Sequence, residues 1–245
     1  MKKILVTGVS SGLGKYIYTK ESSPIGLTRE KRSLLKERFN TQDKAFDMII
    51  HCAFGTQGGY EQNDVKNYFK YVDDNILLTK DLVDVPHKKF IYISSLAVYD
   101  PSPINYKYTK LYSESIVSEL GNNPLILRCP AMLGKYMKSN NVYKLIKDSN
   151  TNLSLTKDSN FNYILHSDIH EFILKSYNEN INGIIDFTSS SNKTLEEISN
   201  ILKIKANFGK YKFTTPLISN KKLLSFNPKL NKSSKETFKQ FLNQI

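Results

Sequence analysis

Short apolar runs alternate with amphipathic stretches along the first half of the chain. Aliphatic and β-branched residues, bounded by polar or turn-forming residues, mark buried strands at residues 3–7, 24–28, 46–53, 90–93 and 125–128. Between them, apolar positions spaced three or four apart predict helices over residues 13–20, 64–83 and 105–120. Strands that alternate with helices in this way predict an α/β fold, in which a doubly wound parallel sheet is covered by helices on both faces.

The second half of the chain is more polar, and its pattern is weaker. A short apolar run that begins at Tyr163 predicts one more strand, followed by a helix capped by Ser167 or Asp168. Further along, Thr194 with Glu197 three residues later predicts a capping box at the start of another helix. These separated elements predict a small lobe that is assembled from non-adjacent pieces.

The length of 245 residues and the hydrophobic content of 40% limit the number of domains. Such a chain can bury the core of one large α/β domain with a modest appendage, whereas two full domains are disfavoured. We expect residues 1–135 to form the sheet domain, with strands returning from about 161–190. Residues 136–245 are then expected to form mainly the small lobe, interleaved with the core.

The composition limits the cellular compartment and the kinds of binding partner that we expect. The two cysteines, Cys52 and Cys129, lie inside apolar runs without metal-ligand company, which argues against disulfides and a metal site and fits the cytoplasm. No apolar run approaches the roughly 18 residues of a membrane span, so no membrane partner is expected. The formal charge of +12 comes from scattered lysines, and nucleic acid is therefore disfavoured as a partner. A homodimer is compatible with the sequence.

A glycine-rich segment follows the first predicted strand and opens the first predicted helix. Glycines let the backbone approach a pyrophosphate closely, and the N–H groups at a helix start face its negative charge. The context of strand, glycine turn and helix is the one that makes a dinucleotide site credible. The candidate cofactor-binding residues are Gly8, Ser10, Ser11, Gly12, Leu13 and Gly14. The alternative is a glycine-rich turn without a ligand.

The end of the second predicted strand bears on which dinucleotide would bind. There an NAD-binding domain places an Asp or Glu that holds the ribose 2′-hydroxyl. This chain has Thr28 followed by Arg29, with Arg32 nearby. Two arginines, with no carboxylate at the strand end itself, are what a 2′-phosphate needs, so these three residues favour NADP over NAD. The alternative is that the arginines are only the solvated start of the next helix.

A serine, a tyrosine and a lysine are predicted to meet at the end of the fourth strand. Ser95 follows the strand, and Tyr106 and Lys110 share one face of the next helix at positions i and i+4. A phenol has a pKa of about 10, and an ammonium one turn away favours its phenolate, so such a tyrosine can exchange a proton with an alcohol or ketone oxygen. Tyr and Lys at this spacing are also common without any catalytic role.

Seven motifs occur in a fixed order along the chain. They are Thr7-Gly8-x-x-x-Gly12-x-Gly14, Ile49-Ile50-His51-Cys52-Ala53, Asn75, Ser94-Ser95-x-x-Val98-Tyr99, Tyr106-x-x-x-Lys110-x-x-x-Glu114, Leu127-Arg128-x-Pro130-x-x-x-Gly134 and His166-x-Asp168. Together they resemble the extended type of short-chain dehydrogenases/reductases, the NAD(P)-dependent sugar-nucleotide epimerases, dehydratases and reductases. The glycine spacing departs from the extended type and is that of the shorter members of the superfamily.

The resemblance implies a Rossmann-type sheet and specific roles for site residues. Ser95 would polarise a substrate carbonyl, Tyr106 would supply the proton, and Lys110 would tune Tyr106 and orient the ribose. Further cofactor contacts are implied for Cys52, Ala53, Tyr106, Lys110, Pro130 and Met132. The resemblance also implies that His166 faces the substrate, although a buried, hydrogen-bonded histidine is the alternative. Asn75 would steady the active-site helix or a water, or else be an exposed helical residue.

The resemblance implies several functions. The first hypothesis is an NADP-dependent reductase that acts on a keto group of a nucleotide-linked deoxysugar. The alternatives are an NAD-dependent nucleotide-sugar 4-epimerase and, outside the enzymes, an NADP-sensing regulator. A dehydratase is disfavoured because Leu96 and Ala97 stand where the family's dehydratases carry an acid pair. The loop of residues 96–105, with Pro101 and Pro103, is shorter than in extended relatives, which predicts an open site and favours the reductase.

Overall fold

The computed structural model describes residues 2–33, 35, 45–55, 65–101, 104–148 and 150–245. Six parallel strands form its central sheet. In order across the sheet they are β2 (Ile25–Leu27), β1 (Ile4–Thr7), β3 (Met48–His51), β4 (Phe90–Ser95), β5 (Leu125–Cys129) and β9 (Gly183–Asp186). The predicted doubly wound parallel sheet is confirmed. Pro103, which the sequence places in the short loop after Ser95, lies outside the described residues.

The strand order creates a crevice beside the first strand. From β1 the chain crosses to β2 on one side, and it then returns to β3 on the other side of β1. The loops that follow β1 and β3 therefore diverge at the carboxyl edge of the sheet, and such a switch point is where open α/β sheets bind ligands. The glycine-rich segment after β1 lies at this point.

Helices cover both faces of the sheet and also occur in the second half of the chain. They are α1 (Gly12–Lys20), α2 (Val65–Val72), α3 (Leu78–Val83), α4 (Asn105–Leu120), α5 (Asn141–Lys147), α6 (His166–Asn178), α7 (Leu195–Leu202), α8 (Lys221–Phe226) and α9 (Ser234–Leu242). A π-helical turn, Asp73–Leu77, joins α2 to α3. Short 3-10 helices span Arg29–Lys31, Leu96–Tyr99 and Pro228–Leu230.

Of two helix caps predicted from the sequence, the structure contains one and lacks the other. The capping box at α7 is confirmed, because the Thr194 hydroxyl accepts from the Glu197 N–H and the Glu197 carboxylate accepts from the Thr194 N–H. The predicted cap of α6 by Ser167 or Asp168 is wrong. The preceding strand runs directly into the helix, which begins at His166, so both residues already lie in its first turn.

Alternate residues of the sheet strands pack on opposite faces, as expected for strands that are buried on both sides. Ile4 and Val6 belong to one apolar cluster, and Leu5 belongs to the other. A third cluster lies in the second half of the chain, where Leu133, Tyr163 and Phe238 are among its members. There β6 (Ala131–Leu133) pairs with β8 (Tyr163–Leu165), and β7 (Asn160–Phe161) pairs with β10 (Lys193–Thr194).

Candidate active site

The glycine loop between β1 and α1 is shaped by contacts that side chains would prevent. A Cβ at Gly14 would lie 2.5 Å from the Gly8 carbonyl oxygen, so only glycine lets α1 start this close to β1. Gly12 has a φ of +60°, and a Cβ there would meet no described atom within 4 Å. The space beside Gly12 therefore remains open at the N-terminus of α1, where N–H groups favour an anion.

A buried threonine ties the loop after β3 to the end of β1. The Thr7 hydroxyl accepts from the N–H groups of Cys52 and Ala53 at 3.1 and 2.9 Å. It also lies 2.8 Å from His51 Nδ1, whose Nε2 lies 3.0 Å from the Thr79 hydroxyl. Burial lowers the pKa of His51 to about 3, so the ring is neutral and bridges the two hydroxyls. These bonds hold the loop after β3 beside the end of β1.

The crevice contains a cavity of about 720 Å³. The predicted site residues that line it are Gly8, Ser10, Ser11, Gly12, Leu13, Gly14, Thr28, Arg29, Cys52, Ala53, Tyr106, Met132 and His166. The Thr28 hydroxyl in its wall is buried and has no hydrogen-bond partner among the described residues. This unsatisfied hydroxyl and the open space at Gly12 fit the ribose and the pyrophosphate of a dinucleotide.

Four other predicted site residues are not among the described residues that line this cavity; they are Arg32, Ser95, Lys110 and Pro130. Arg32 is drawn away by two ion pairs, at 2.8 Å to Asp73 and 2.9 Å to Asp81. Arg29, by contrast, lies at the cavity, where its Nη2 is 2.8 Å from Asp74 Oδ2. Arg29 and Arg32, which were both predicted to bind the cofactor, therefore have different surroundings.

Ser95 ends β4 and caps the 3-10 helix that follows. Its Oγ accepts a hydrogen bond from the Ala97 N–H at 3.1 Å. A serine hydroxyl is both donor and acceptor. This bond uses one of its acceptor sites, so the hydroxyl proton remains available for donation. Its neighbour Ser94 instead donates to Glu114 Oε1 at 2.5 Å.

Tyr106 and Lys110 lie one turn apart on α4, as the spacing predicts. The Lys110 Nζ lies 6.0 Å from the centre of the Tyr106 ring and 4.4 Å from that of Phe54. Phe54 also packs edge-on against Tyr106, with ring centres 4.9 Å apart. Tyr106 is half-buried in the cavity wall, and Lys110 lies directly behind the two rings.

Lys110 is enclosed by protein. Its Nζ donates to the Ile93 carbonyl oxygen at 2.9 Å and lies 4.8 Å from the centre of the Tyr92 ring. Burial lowers the pKa of Lys110 to about 8, because an ammonium is poorly solvated away from water. The group still carries its charge at neutral pH, and it lies near the rings of Phe54 and Tyr106 rather than in solvent.

A buried ion pair fixes α4 against the sheet. The Arg128 guanidinium on β5 donates to the Glu114 carboxylate on α4 from Nε, to Oε1 at 3.0 Å and Oε2 at 3.2 Å, and from Nη2, to Oε2 at 2.6 Å. Glu114 accepts from Ser94 as well, and Arg128 donates to the Tyr99 hydroxyl at 2.7 Å. Such two-pronged pairs set orientation as well as position, so this network aligns the helix that carries Tyr106.

His166 and Asn75, for which the sequence left two alternatives each, are both buried. His166 is buried, and its Nδ1 has no hydrogen-bond partner among the described residues. Burial lowers its pKa to about 4, and the neutral ring lies in the cavity wall 5.7 Å from that of Tyr16. Asn75 is also buried, and its amide makes two bonds to the backbone of Gly55, at 2.8 and 3.0 Å.

Several residues at the cavity were missed by sequence reasoning. They are Phe54, Gly55, Asp74 and the segment Met137, Lys138, Ser139 and Asn140. Phe54 follows directly after the predicted Cys52 and Ala53, and an aromatic residue at a strand end was an available signal. The segment near Met137 gave none, because its place depends on a backbone bond from the Gly12 N–H to the Tyr136 carbonyl oxygen at 2.6 Å.

Among the described residues, no cluster of His, Cys, Asp and Glu is arranged to hold a metal ion. In the same part of the chain, no helix is both long enough and apolar enough to cross a membrane.

The parallel sheet, the glycine loop at its switch point and the tyrosine and lysine on α4 are features of a nicotinamide dinucleotide-dependent enzyme. The model of the NAD dependent epimerase/dehydratase family matches residues 4–160, and the chain belongs to this family. The resemblance seen in the motifs is thereby confirmed, as is the expectation of an enzyme. No curated protein sequence matches the chain.

Three solved structures are similar over nearly their whole length. The dTDP-4-dehydrorhamnose reductase from Bacillus anthracis, in complex with NADP, has a TM-score of 0.81 and 19% identity, covering 100% of this chain and 99% of that one. The corresponding reductase from Yersinia enterocolitica has a TM-score of 0.77 and 21% identity, with 100% of both chains covered. The UDP-glucuronic acid 4-epimerase from Bacillus cereus, with NAD, has a TM-score of 0.70 and 15% identity, covering 99% and 100%. At these identities the similarity establishes the fold.

Proposed function

We propose that the protein reduces a keto group on a nucleotide-linked sugar, with NADP as the cofactor and Tyr106 as the proton donor. The observation that carries the proposal is the position of Tyr106 in the wall of the crevice, with the Lys110 ammonium one helical turn behind it. Fold alone does not decide function, so the proposal depends on these side chains.

Each catalytic side chain has a defined task in this proposal. The bound cofactor would supply the hydride to the carbonyl carbon. Tyr106 would give its hydroxyl proton to the carbonyl oxygen as negative charge builds on it. The Ser95 hydroxyl, held at the end of β4 by the Ala97 N–H, would donate a hydrogen bond to the same oxygen. Lys110 would stabilise the phenolate that remains.

The preference for NADP is supported by the residues at the end of β2. Thr28 and Arg29 line the cavity where an NAD-specific domain places a carboxylate. The Arg29 side chain is 64% exposed, so it is able to turn toward a phosphate group. Arg32, which the sequence predicted to bind the 2′-phosphate, does not support the preference for NADP, because its guanidinium is paired with two carboxylates.

Reduction is favoured over epimerisation by the short connection between Ser95 and Tyr106. Only residues 96–105 separate them, which leaves little chain to close over a reactive keto intermediate. An open site suits an enzyme that releases product and oxidised cofactor in every cycle. The B. anthracis structure, a reductase with NADP, is consistent with this preference.

The substrate is proposed to lie under the lobe formed mainly by residues 136–245. The segment from Met137 to Asn140 contributes to the cavity wall and follows directly after Tyr136, which is bonded to the glycine loop; its place in the wall supports this location. Its polar side chains offer hydrogen bonds to a sugar or a diphosphate.

NADPH oxidation against a panel of 4-keto-6-deoxy nucleotide sugars tests the proposal. We expect at least one member to consume NADPH and to yield the 4-hydroxy sugar in equal amount. Tyr106→Phe serves as the inactive control. Tightly held NAD in the purified protein, with interconversion of 4-hydroxy epimers and no added cofactor, would instead identify a 4-epimerase. NADPH binding without turnover on any member of the panel would favour the regulator.

A further inference from the structure

A carboxylate at the edge of the cavity is shared by two cations. Asp74 Oδ2 lies 2.8 Å from Arg29 Nη2 and 3.0 Å from Lys70 Nζ. The Asp74 side chain is only 10% exposed, although it lines the same cavity as Thr28 and Arg29. The residue that is best placed to bind a 2′-phosphate is therefore already paired with a negative charge.

The position of Asp74 is fixed, whereas that of Arg29 is not. Asp74 lies in the π-helical turn next to Asn75, whose amide is bonded to both the N–H and the carbonyl of Gly55. Asp74 also packs against Gly55, where an added Cβ would lie 3.2 Å from its Oδ2. Arg29 is mostly exposed, and surface ion pairs of this kind hold their partners only weakly. The carboxylate stays at the cavity while the guanidinium is able to move.

We propose that Asp74 sets the balance between NADP and NAD by neutralising Arg29 and placing a negative charge beside the 2′ position of the adenosine ribose. A 2′-phosphate has to displace the carboxylate from Arg29 and is repelled by it. A 2′-hydroxyl displaces nothing, and it is able to donate a hydrogen bond to the carboxylate. Asp74 therefore weakens NADP binding and leaves NAD binding intact or improved. This inference rests on the proposed use of a nicotinamide dinucleotide.

Removal of the charge should shift the preference toward NADP. In Asp74→Asn, Arg29 and Lys70 both lose their shared partner and become available to the phosphate. We expect the ratio of NADPH affinity to NADH affinity to rise about tenfold, the size expected when one close like charge is removed at a partly exposed site. The adjacent Asp73 provides a matched control, because it pairs with Arg32 and is not among the described residues that line the cavity.

Direct titration of NADPH and NADH by nucleotide fluorescence tests the inference without any sugar substrate. The proteins compared are the wild type, Asp74→Asn, Asp73→Asn, Arg29→Ala and the double variant Arg29→Ala with Asp74→Asn. Asp74→Ser provides a second removal of the charge should Asp74→Asn lower the melting temperature. The expected result is a rise of the ratio in the Asp74 variants, no change in Asp73→Asn, and a smaller effect of Asp74→Asn when Arg29 is absent.

Three results would overturn the inference. An unchanged ratio in both Asp74 variants would show that the carboxylate does not act on cofactor choice. An equal rise in Asp73→Asn would show a general effect of surface charge, and a full effect without Arg29 would rule out neutralisation of Arg29. Failure of the wild type to bind either nucleotide would overturn the proposed function as well, whereas binding with an unchanged ratio overturns this inference alone.

Discussion

Two buried lysines lie at opposite ends of β4. Lys89 immediately precedes the strand, and Lys110 packs against Ile93 near its carboxyl end. They are 1% and 4% exposed, and each donates to one backbone carbonyl, Lys89 to that of Ile181 at 2.6 Å. Burial lowers the pKa of both to about 8. By burial, hydrogen bonding and acidity they are nearly equivalent.

The two lysines differ in their surroundings. Lys110 lies behind the rings of Phe54 and Tyr106, which line the cavity at the carboxyl edge of the sheet. Lys89 lies at the amino edge, where it ties the strand to the segment before β9. A perturbed lysine therefore identifies a site only together with its position at the ligand-binding edge. We expect the two lysines to differ in their effect on turnover and to contribute equally to the pH dependence of stability.

The largest effect is expected for Tyr106, whose ring centre lies 6.0 Å from the Lys110 Nζ. Tyr106→Phe removes the proposed proton donor and keeps the ring, so turnover should fall by roughly 10²–10⁴-fold with NADPH affinity nearly unchanged. Steady-state kinetics and fluorescence titration measure the two quantities. Tyr108→Phe, an exposed tyrosine on the same helix, is the control and should keep its activity. Retained turnover in Tyr106→Phe would mean that another group is the acid.

Replacement of each lysine by methionine tests the comparison directly. Lys110→Met should lower kcat by about 100-fold, because the charge that stabilises the phenolate is lost. Lys89→Met should change kcat by less than about twofold, since Lys89 touches no reacting group. Equal losses of kcat in the two variants, with both folded by circular dichroism, would contradict a catalytic role that is specific to Lys110.

Stability should respond to pH in the same way at both lysines. A lysine with a pKa of about 8 in the folded protein and 10.5 when unfolded binds its proton less tightly in the folded state. Each therefore makes the free energy of unfolding rise as the pH rises above 8, by roughly 2 kcal/mol between pH 7 and pH 9.5. Urea unfolding at the two pH values should show that each methionine variant loses its own share of this rise. A rise that is identical in the wild type and both variants would contradict the assignment.

The smallest effect is expected for an exposed cation. The wild type should bind NADPH more tightly than NADH, and Arg29→Ala should reduce that difference by roughly 1–2 kcal/mol through loss of a charge-assisted hydrogen bond. Turnover at saturating cofactor should stay near the wild-type value, unlike in Lys110→Met. Equal affinities for the two nucleotides in the wild type would remove the basis for an NADP preference.

The features that the sequence predicted well are local ones. The strands have short apolar runs with clear boundaries, and Tyr106 and Lys110 share a face because helical spacing requires it. Even the capping box at Thr194 follows from residues three positions apart. These predictions needed no knowledge of how distant segments meet.

The features that the sequence did not reveal depend on contacts between distant segments. Arg29 and Arg32 look alike in the sequence, and only the packing of the π-helical turn assigns Asp74 to one and Asp73 to the other. The apolar spacing of residues 64–83 gave no sign of that turn. The wrong cap at Ser167 has a similar cause, because the pairing of β8 with β6 extends to Leu165 and the helix begins at the next residue, one position before Ser167.

The bond between the Gly12 N–H and the Tyr136 carbonyl has a consequence for folding. It joins the first turn of α1 to a segment in the second half of the chain, and contacts between such distant residues form late because the loop that they close is long. We therefore expect the glycine loop to acquire its final shape only after most of the sheet has assembled. A chain still emerging from the ribosome would have β1 and α1 long before it has a completed dinucleotide crevice. Cofactor capture should then mark the last stage of maturation rather than guide the early ones.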